Sequence, residues 1–489
     1  MPTREKLTSV DTAWLRMDRP SNLMMIVGVL IFDGPIDHDR LKATIAERLR
    51  PFRRFRQRVV DDAASSSWED DPKFSIDHHL TRARLPGKAD KPALERYCAR
   101  MASEPLDPAR PLWQFTLIEN YRGGTALLSR IHHCIADGIA LIGVMLKLTD
   151  TTAEMPPPQP AQPTSEDAAQ GDDAPADEET DLWRQVLAPL AAAAVKAIGY
   201  SGKAMAGTLD LVSQPERAAQ LARVAGSVTA EVAQLIAMPD DSATRFKGKP
   251  GLHKAVAWAE PLPLDLVKTI GAITRSSVND VLLSCVAGAL GRYLHSRGDP
   301  SDGVEIRALI PVNLRPPGHE HRLGNRFGLV ALTLPLGIEN PLRRLAEVRS
   351  RMEALKGSYQ APVTLGVLSI VGLAPRVVQT QLLDLLAKKA TAVMTNVPGP
   401  QQPLFMAGAK LAQMMFWVPQ SGDIGMGVSI LSYNGGVQFG LVTDQGLVAD
   451  PQTIVDGFGP ELDKLVLTLL LSPRDFPLDP AVVEQHLFA

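Results

Sequence analysis

An acidic, proline-rich segment at residues 154–181 limits what this chain can fold into. It holds six prolines and nine carboxylates and contains no lysine or arginine. Such a segment cannot bury enough apolar surface to offset the entropy lost on ordering, which predicts a disordered linker. The linker separates an N-terminal region, 1–153, from an alanine-rich segment, 182–240, and a C-terminal region, 241–489. The segment 182–240 is expected to be helical, and it either packs on the core or contacts a membrane through a basic amphipathic face.

Length and charge narrow the function classes. The chain has 489 residues, too many for one ordinary hydrophobic core, which predicts two large domains. Its formal net charge is −3, and without the nine linker carboxylates the rest carries −3 + 9 = +6. A mildly basic body suits an anionic ligand or a membrane surface, or is an arginine-rich solvated surface. It lacks the strong basic excess of nucleic-acid-binding proteins, so no nucleic-acid partner is expected.

Cysteine usage and apolar runs indicate the compartment. Cys98, Cys134 and Cys285 are scattered without a CxxC pair, which favours a reducing compartment. The first 20 residues carry charges where a signal peptide needs an apolar run. No uncharged apolar stretch reaches the roughly 18 residues of a membrane span, and the nearest candidate is 361–375. We therefore expect a cytoplasmic protein without a spanning helix.

Strands and helices alternate on both sides of the linker, which is typical of mixed sheets with packed helices, the α/β class. Strands are predicted at 23–32, 55–60, 74–80, 113–119, 125–131, 305–312, 327–336, 392–397, 427–433 and 437–442. Helices are predicted after Asp37 and at 92–102, 139–148, 277–297, 340–357 and 363–387. In the helix at 277–297, Ser277 and Asp280 form an S-x-x-D capping pair.

The residues that indicate chemistry are 131–138, which read IHHCIADG and contain an HHxxxDG pattern. The pattern follows a predicted strand and precedes an apolar helix, so it occupies a turn whose side chains can face a cleft. A neutral imidazole is the best-matched general base near pH 7. We predict that His133 takes a proton from a hydroxyl or amine as that group attacks an acyl carbon. His132 is expected to be a buried, supporting residue.

Other chemistries fit the pattern less well. Adjacent histidines without a further cluster of Cys, His or carboxylates make a poor zinc site, so no metal is expected. Catalysis by Cys134 would need a pair with histidine, yet neighbours in a strand point to opposite faces. A second pair, His78-His79, lacks the DG and is interpreted as structural. A cluster of arginines, which could attract phosphates, is interpreted as a solvated face. These arginines are at 48, 50, 53, 54, 56 and 58.

The motif and its surroundings carry a resemblance. HHCIADG, with SVDTAWLRMDRPSNLMMIVGVLIFDG near the N-terminus, resembles the bacterial wax ester synthase/acyl-CoA:diacylglycerol acyltransferase family. Further matches follow in family order: RPLW at 110–113, SVNDVLL at 277–283, PVNLRP at 311–316, GNRFG at 324–328 and TNVPGP at 395–400. HHxxxDG alone is shared with chloramphenicol acetyltransferase-like enzymes and peptide-synthetase condensation domains. The N-terminal block and the ND motif favour the wax ester group.

The resemblance implies a fold and a reaction. It implies two chloramphenicol acetyltransferase-like domains, each a mixed sheet with flanking helices, with a tunnel between them and a crossover near 395–435 that returns to the N-terminal sheet. Acyl-CoA and a long-chain alcohol or diacylglycerol would meet at His133. The acyl group would pass directly from thioester to hydroxyl through a tetrahedral intermediate. Acyl-CoA is a substrate in this scheme, and neither a cofactor nor a covalent acyl-enzyme is implied.

The resemblance also suggests roles for further residues. Asp137 is expected to be structural and to pair with Arg315, because an arginine at the end of a VNLRP-like strand fills that role in related enzymes. Gly138 is expected to allow the turn. Asn279 would donate to the developing oxyanion or position substrate, and Asp280 would cap the helix.

Two other functions remain open at this level. A condensation-type acyltransferase would use a carrier-protein thioester, but the chain shows no carrier domain with its phosphopantetheine-bearing serine motif. A non-catalytic lipid-binding protein would be marked by loss of the second histidine or of the DG, and both are intact. Lipid substrates predict a protein held peripherally at the inner face of the membrane or on lipid inclusions. Acyl length, acceptor preference and the formation of a homo-oligomer are left open.

Overall fold

The structure is a computed structural model that describes residues 4–61, 66–154, 238–315, 323–358, 360–373, 384 and 387–472. The predicted linker and the predicted helical segment that follows it lie almost wholly outside these ranges. Within them the chain is mixed α/β, with a six-stranded sheet, a seven-stranded sheet and a small three-stranded sheet. Helices flank the larger sheets, as the sequence predicts.

The elements before the linker alternate as strands and helices. They are β1 Glu5–Lys6, α1 Ser9–Met17, β2 Met25–Phe32, α2 His38–Arg48, β3 Gln57–Asp61, β4 Ser66–Asp70, α3 Ile76–His79, β5 Leu80–Ala83, α4 Lys91–Ala102, β6 Trp113–Tyr121, β7 Gly124–His132 and α5 Gly138–Lys147.

The elements after residue 238 build the second half. They are β8 Lys254–Trp258, β9 Leu262–Pro263, α6 Leu264–Thr274, α7 Val278–Ser296, β10 Glu305–Asn313, β11 Phe327–Pro335, α8 Pro341–Lys356, α9 Gln360–Leu373, β12 Ala392–Pro398, β13 Phe405–Met406, β14 Ala409–Trp417, β15 Met426–Tyr433, β16 Gly436–Asp444 and α10 Pro451–Leu471.

The six-stranded sheet is built from both halves of the chain. Its order is β13-β14-β2-β7-β6-β5. The central strand β2 has the sequence MIVGVLIF and is buried along its whole length, as expected for a strand covered on both faces. It pairs antiparallel with β7 on one side and with β14 on the other. Strands β13 and β14, from residues 405–417, therefore complete the sheet of the N-terminal half.

The seven-stranded sheet has the order β11-β10-β12-β15-β16-β8, with β9 paired to β16. The long helix α7 is buried over most of its length against this half. The predicted capping pair at its start is confirmed: Ser277 Oγ accepts from Asp280 N (3.1 Å) and an Asp280 carboxylate oxygen accepts from Ser277 N (2.8 Å). This reciprocal box fixes where α7 begins.

A buried lysine joins the two halves. Lys254 on β8 donates from Nζ to Asn22 Oδ1 at 2.6 Å and lies 3.6 Å from Asp444 Oδ2. Asn22 Nδ2 in turn donates to the carbonyl of Gly422 at 2.8 Å. Burial lowers the pKa of Lys254, and Asp444 acts in the opposite direction. The loop before β2 is thereby tied to the C-terminal half.

One predicted strand is wrong. The region 74–80 is not a strand, because Ser75 accepts a hydrogen bond from Asp77 N and starts the short helix α3. The strand begins only at Leu80. His79 is buried and places Nδ1 2.8 Å from the carbonyl of Trp113, whose ring it stacks on at 4.4 Å. It therefore has the structural role predicted for it.

The apolar stretch at 361–375 is a core helix as far as the structure describes it. Residues 361–373 form most of α9, in which Val363 is 1% exposed. Two side chains of α9 bind the edge of β11: Thr364 Oγ1 accepts from Leu329 N and Gln360 Oε1 from Ala331 N. Among the residues described, no helix combines the length and apolar character needed to cross a bilayer.

The arginine cluster at 48–58 is largely paired. Arg48 binds both carboxylate oxygens of Asp150 at 2.9 Å, and Arg54 binds Glu5 at 2.8 Å. Arg54 also lies 4.6 Å from the centre of the Trp68 ring. The interpretation of this cluster as part of a solvated protein face fits these contacts better than a phosphate site does.

Candidate active site

The HHxxxDG motif lies between β7 and α5. Strand β7 ends at His132, and α5 begins at Gly138. Backbone hydrogen bonds hold the two histidines, from His133 N to the Met24 carbonyl (2.7 Å) and from His132 N to the Leu112 carbonyl (2.9 Å). His133 is 5% exposed. The turn thus presents an imidazole inside the protein, next to the start of β2.

Residues from both halves surround the His133 ring. Trp14 of α1 stacks on it with ring centres 4.2 Å apart, and the Phe327 ring lies 5.7 Å away. Nδ1 of His133 lies 2.8 Å from Oδ1 of Asn325. Asn325 Nδ2 donates to the His133 carbonyl at 2.7 Å and to Asp11 Oδ1 at 2.8 Å. These contacts fix the plane of the ring.

Burial shifts the pKa values of two side chains of this site, His133 and Asp11. It lowers the pKa of His133 to about 4, against the opposing effects of Asp137 and of the hydrogen bond with Asn325. It raises the pKa of Asp11 to about 6, which the hydrogen bond from Asn325 and the charge of Arg54 partly offset. At pH 7 the imidazole is therefore neutral, the form that can accept a proton.

Asp137 and Arg315 lie together in the structure. Asp137 Oδ1 caps α5 by accepting from Ala140 N at 3.1 Å, while Oδ2 accepts from Arg315 Nη1 at 2.6 Å and from Arg326 N at 3.1 Å. Arg315 Nη2 also donates to the Gly324 carbonyl at 2.7 Å. The carboxylate is thus engaged on both oxygens and ties the motif to the C-terminal half.

The prediction that the turn requires glycine at 138 is wrong. Gly138 is the first residue of α5 and is not among the described glycines with a positive φ, so the turn does not require it. A Cβ built at this position would meet no atom within 4 Å. Gly138 instead lines a narrow cavity, where the missing side chain leaves space.

Asn279 makes a hydrogen bond with a second asparagine of the C-terminal half. Its Oδ1 accepts from Asn396 Nδ2 at 3.1 Å, which joins the SVND and TNVPGP motifs. The hydrogen bonds described for the His133 side chain do not include Asn279. Asp280 serves as the cap of α7. The structure therefore brings Asp137, Arg315 and His133 together, while the oxyanion or positioning role of Asn279 stays a prediction.

His132 and Cys134 are both buried. His132 Nδ1 accepts from Cys134 N at 3.1 Å, and its Nε2 lies 3.8 Å from Asp18 Oδ1. Burial raises the pKa of the Cys134 thiol well above its usual value. A protonated thiol is a poor nucleophile, which argues against catalysis through Cys134.

Asp11, Trp14 and Asn325 are site residues that no sequence motif indicates. Asp11 and Trp14 belong to the SVDTAWL block and Asn325 to GNRFG, and both blocks were noted only as family matches. The one sequence feature that could have pointed to them is that Asn325 and Asp11 are polar side chains inside these family-matching blocks. No spacing rule indicates that residues 11, 133 and 325 meet, because the contact depends on tertiary folding.

An apolar cavity starts beside the motif. It is narrow, about 80 Å³, and lies between α5 and the sheet formed by β2 and β14. From α5 it is lined by Gly138, Leu141, Ile142, Met145 and Leu146. Their spacing places them on one face of the helix. The cavity therefore follows α5 away from the histidines.

A larger groove opens on another side of the motif. Its volume is about 870 Å³, and its walls come from α4, β8 and the loop that contains Asp18. Its lining is largely apolar but carries charged side chains of both signs, among them Arg19, Arg96, Arg100 and Glu95. Asp18 lines the groove, and its Oδ1 lies 3.8 Å from Nε2 of His132. The groove therefore reaches the side of the motif where His132 lies.

Comparison with known proteins gives consistent matches. The model of the wax ester synthase/diacylglycerol acyltransferase catalytic domain matches residues 7–282, and the model of the C-terminal domain of the same family matches 323–466. A probable diacylglycerol O-acyltransferase of Mycobacterium tuberculosis H37Rv is 27% identical over 475 residues, covering 94% of this chain and 95% of the relative. A putative diacylglycerol O-acyltransferase of Mycobacterium bovis shows the same identity and coverage.

Solved structures share the fold. A wax ester synthase/diacylglycerol acyltransferase from Marinobacter aquaeolei superposes with a TM-score of 0.66 at 20% identity, covering 95% of this chain and all of that one. The first condensation domain of the calcium-dependent antibiotic synthetase gives a TM-score of 0.56 at 15% identity, with 95% of each chain covered. The two-domain α/β architecture is common to all three.

Proposed function

Because the chain belongs to the wax ester synthase/diacylglycerol acyltransferase family and is therefore an acyltransferase, we propose that it transfers a long-chain acyl group from acyl-CoA to a long-chain alcohol or diacylglycerol, with His133 as general base. One observation carries the assignment of the base. His133 is a buried imidazole, neutral at pH 7, with Nδ1 engaged by Asn325. Its other nitrogen, Nε2, is left to accept a proton from the acceptor hydroxyl.

The proposed reaction is direct transfer. Nε2 of His133 removes the hydroxyl proton while the oxygen attacks the thioester carbonyl and forms a tetrahedral intermediate. The C–S bond then breaks, the ester forms, and the proton passes from His133 to the leaving CoA sulfur. Such a base contributes about a hundred- to ten-thousandfold. The protonated state of Cys134 supports transfer without an acyl-enzyme.

We assign the apolar cavity along α5 to the acyl chain. It begins at Gly138, next to the histidines, and is lined mainly by aliphatic and methionine side chains. Such a lining gains free energy from every methylene that it removes from water, about 0.8 kcal/mol each. Methionine also adapts to irregular apolar shapes. The lining therefore suits a flexible hydrocarbon, and its side chains must move apart to admit a long one, because the cavity of about 80 Å³ is smaller than a palmitoyl chain.

We assign the larger groove to the CoA portion of the donor. Arg96 and Arg100 on α4 are exposed and line this groove, and guanidinium groups pair well with phosphates. The groove reaches Asp18 beside His132, so a thioester could extend from it toward His133.

Peripheral association with a membrane or a lipid inclusion is part of the proposal. The last turn of α10 exposes Leu467, Leu470 and Leu471, of which Leu470 is 75% exposed. Exposed leucines of this kind can insert into a lipid interface. Such a location would also bring a water-insoluble acceptor to the enzyme.

Thiol release from palmitoyl-CoA tests the function. CoA formation should rise when hexadecanol or diacylglycerol is added and should stay at background without an acceptor. No stimulation by either lipid would contradict the proposal. The variant His133→Ala should lose about a hundred- to ten-thousandfold in kcat, while His295→Ala, an exposed histidine on α7, should keep it. Retention of most activity in His133→Ala would exclude the assigned base.

A further inference from the structure

Asn325 makes three hydrogen bonds with groups of the site. Its Nδ2 donates to two oxygens, the His133 carbonyl and Asp11 Oδ1. Its Oδ1 faces Nδ1 of His133 at 2.8 Å. An amide group has one accepting end and one donating end. With the donating end occupied by two oxygens, only the accepting end can meet the imidazole.

This orientation, together with a hydrogen bond between the ring and the backbone of His133 itself, sets the tautomer of His133. A neutral imidazole carries one proton, on either Nδ1 or Nε2. An oxygen at Nδ1 requires that nitrogen to be the donor, so the proton lies on Nδ1 and the lone pair on Nε2. If the amide turned over, its Oδ1 would face the Asp11 carboxylate and the His133 carbonyl, so three acceptors would meet. The proton of the imidazole would then move to Nε2.

Asp11 supplies the charged contact that opposes this rotation. It lies in α1, is 1% exposed, and is held near the capping residue Thr8, whose Oγ1 accepts from Asp11 N at 3.1 Å. A carboxylate is a stronger acceptor than a neutral carbonyl. Without it, the His133 carbonyl would be the remaining acceptor described for Asn325 Nδ2.

We propose that Asp11 is a positioning residue that acts through Asn325 to keep the proton of His133 on Nδ1 and the lone pair on Nε2. The kinetic consequence rests on the proposed function, in which Nε2 is the base. The tautomer itself does not depend on that function and can be observed without turnover.

The first test is the tautomer of the full-length protein. Nitrogen-15 NMR of histidine-labelled enzyme distinguishes a protonated ring nitrogen from one that bears a lone pair, and His133→Ala identifies the signal. We expect protonated Nδ1 and unprotonated Nε2 in the wild type. In Asp11→Ala the signals should move toward a mixture of tautomers. A wild-type imidazole protonated on Nε2, or an Asp11→Ala variant with unchanged shifts, would overturn the proposal.

Kinetics of matched variants give the second test. Asp11→Asn keeps an acceptor at the same place and should retain kcat within about threefold. Asp11→Ala should lower kcat by about tenfold or more, within the hundred- to ten-thousandfold range of general-base catalysis, with the KM for acyl-CoA unchanged. If Asp11→Ala does not fold, Asp11→Ser keeps a polar group that is too short to reach Asn325. Equal losses in Asp11→Asn and Asp11→Ala would contradict a role through orientation.

A buried carboxylate elsewhere provides the control. Asp241 accepts from Arg307 N at 2.8 Å and lies in the C-terminal half. Asp241→Ala should lower stability without changing the His133 shifts.

The two proposals can fail separately. If His133→Ala kept full activity while the wild-type tautomer was as expected, the assignment of His133 as base would fail, and the role of Asp11 in setting the tautomer would stand.

Discussion

Arg315 Nη1 donates to Asp137 Oδ2 across 2.6 Å, and both side chains are at most 5% exposed. The pair joins the turn before α5 to the segment after β10. Breaking a buried ion pair from one side leaves an uncompensated charge, which costs far more than the loss of an exposed pair.

Arg315→Met should therefore lower the free energy of unfolding by about 3–5 kcal/mol. The neighbouring arginine offers a control, because the Arg326 side chain is exposed and Arg326→Met should change stability by at most about 0.5 kcal/mol. Chemical denaturation measures both. Adding Asp137→Asn to Arg315→Met should recover part of the loss, since no buried charge then remains. Equal stability of the two arginine variants would disprove the argument.

The pH profile of kcat/KM should show no titration of His133 near neutrality. Burial lowers the pKa of His133 to about 4, so the base stays neutral as the pH falls and is lost only near that value. Protonation of Asp11, whose pKa is raised to about 6, leaves an acceptor for Asn325 as Asp11→Asn does, so it should change kcat/KM by no more than about threefold. A decline near pH 6.5 that persists in Asp11→Asn would show that His133 titrates normally.

Met145→Trp should shorten the acyl chain that the enzyme accepts. Met145 lines the cavity along α5 about two turns beyond Gly138, so a larger side chain would block its far part. The ratio of kcat/KM for octanoyl-CoA over palmitoyl-CoA should rise about tenfold or more. Lys147→Trp, on the exposed side of the same helix, is the control and should leave the ratio unchanged. An unchanged ratio in Met145→Trp would place the acyl chain elsewhere.

Lys254→Met should destabilise the protein, because Asp444 would remain as a carboxylate with 0% exposure. The expected cost is about 3–5 kcal/mol in the free energy of unfolding. Lys268→Met, an exposed lysine on α6, should have almost no effect. Thermal unfolding compares the two, and matching transition temperatures would argue that Lys254 contributes no more than a surface lysine.

The fold was predictable where the pattern of apolar and capping residues within a single segment indicates its secondary structure. The buried strand β2 and the capping box of α7 follow from local patterns, and both are confirmed. The prediction of a strand at 74–80 failed because apolar residues at 74, 76 and 80 do not distinguish a strand from a helical turn, and Ser75 decided the outcome by capping. Strand β14 was not among the predicted strands, although its residues alternate between buried and partly exposed positions.

The site was predictable only where its residues lie close together in sequence. HHxxxDG identifies His133 because a strand, a turn and a helix lie next to one another in sequence. Asn325 lies 192 residues from its partner His133, so no local pattern reports that contact. Gly138 was assigned to the turn because sequence alone does not show that the position faces a cavity.

The exchange of β14 into the N-terminal sheet has a consequence for biosynthesis. A ribosome synthesises β2 and β7 well before it reaches 409–417, so the nascent N-terminal half carries an open edge along β2 until β14 has been made. An exposed, apolar strand edge invites pairing with other chains. Chaperone binding during translation is therefore expected to begin at β2 and to end when β14 arrives. Chains that stop before residue 409 should collect in aggregates.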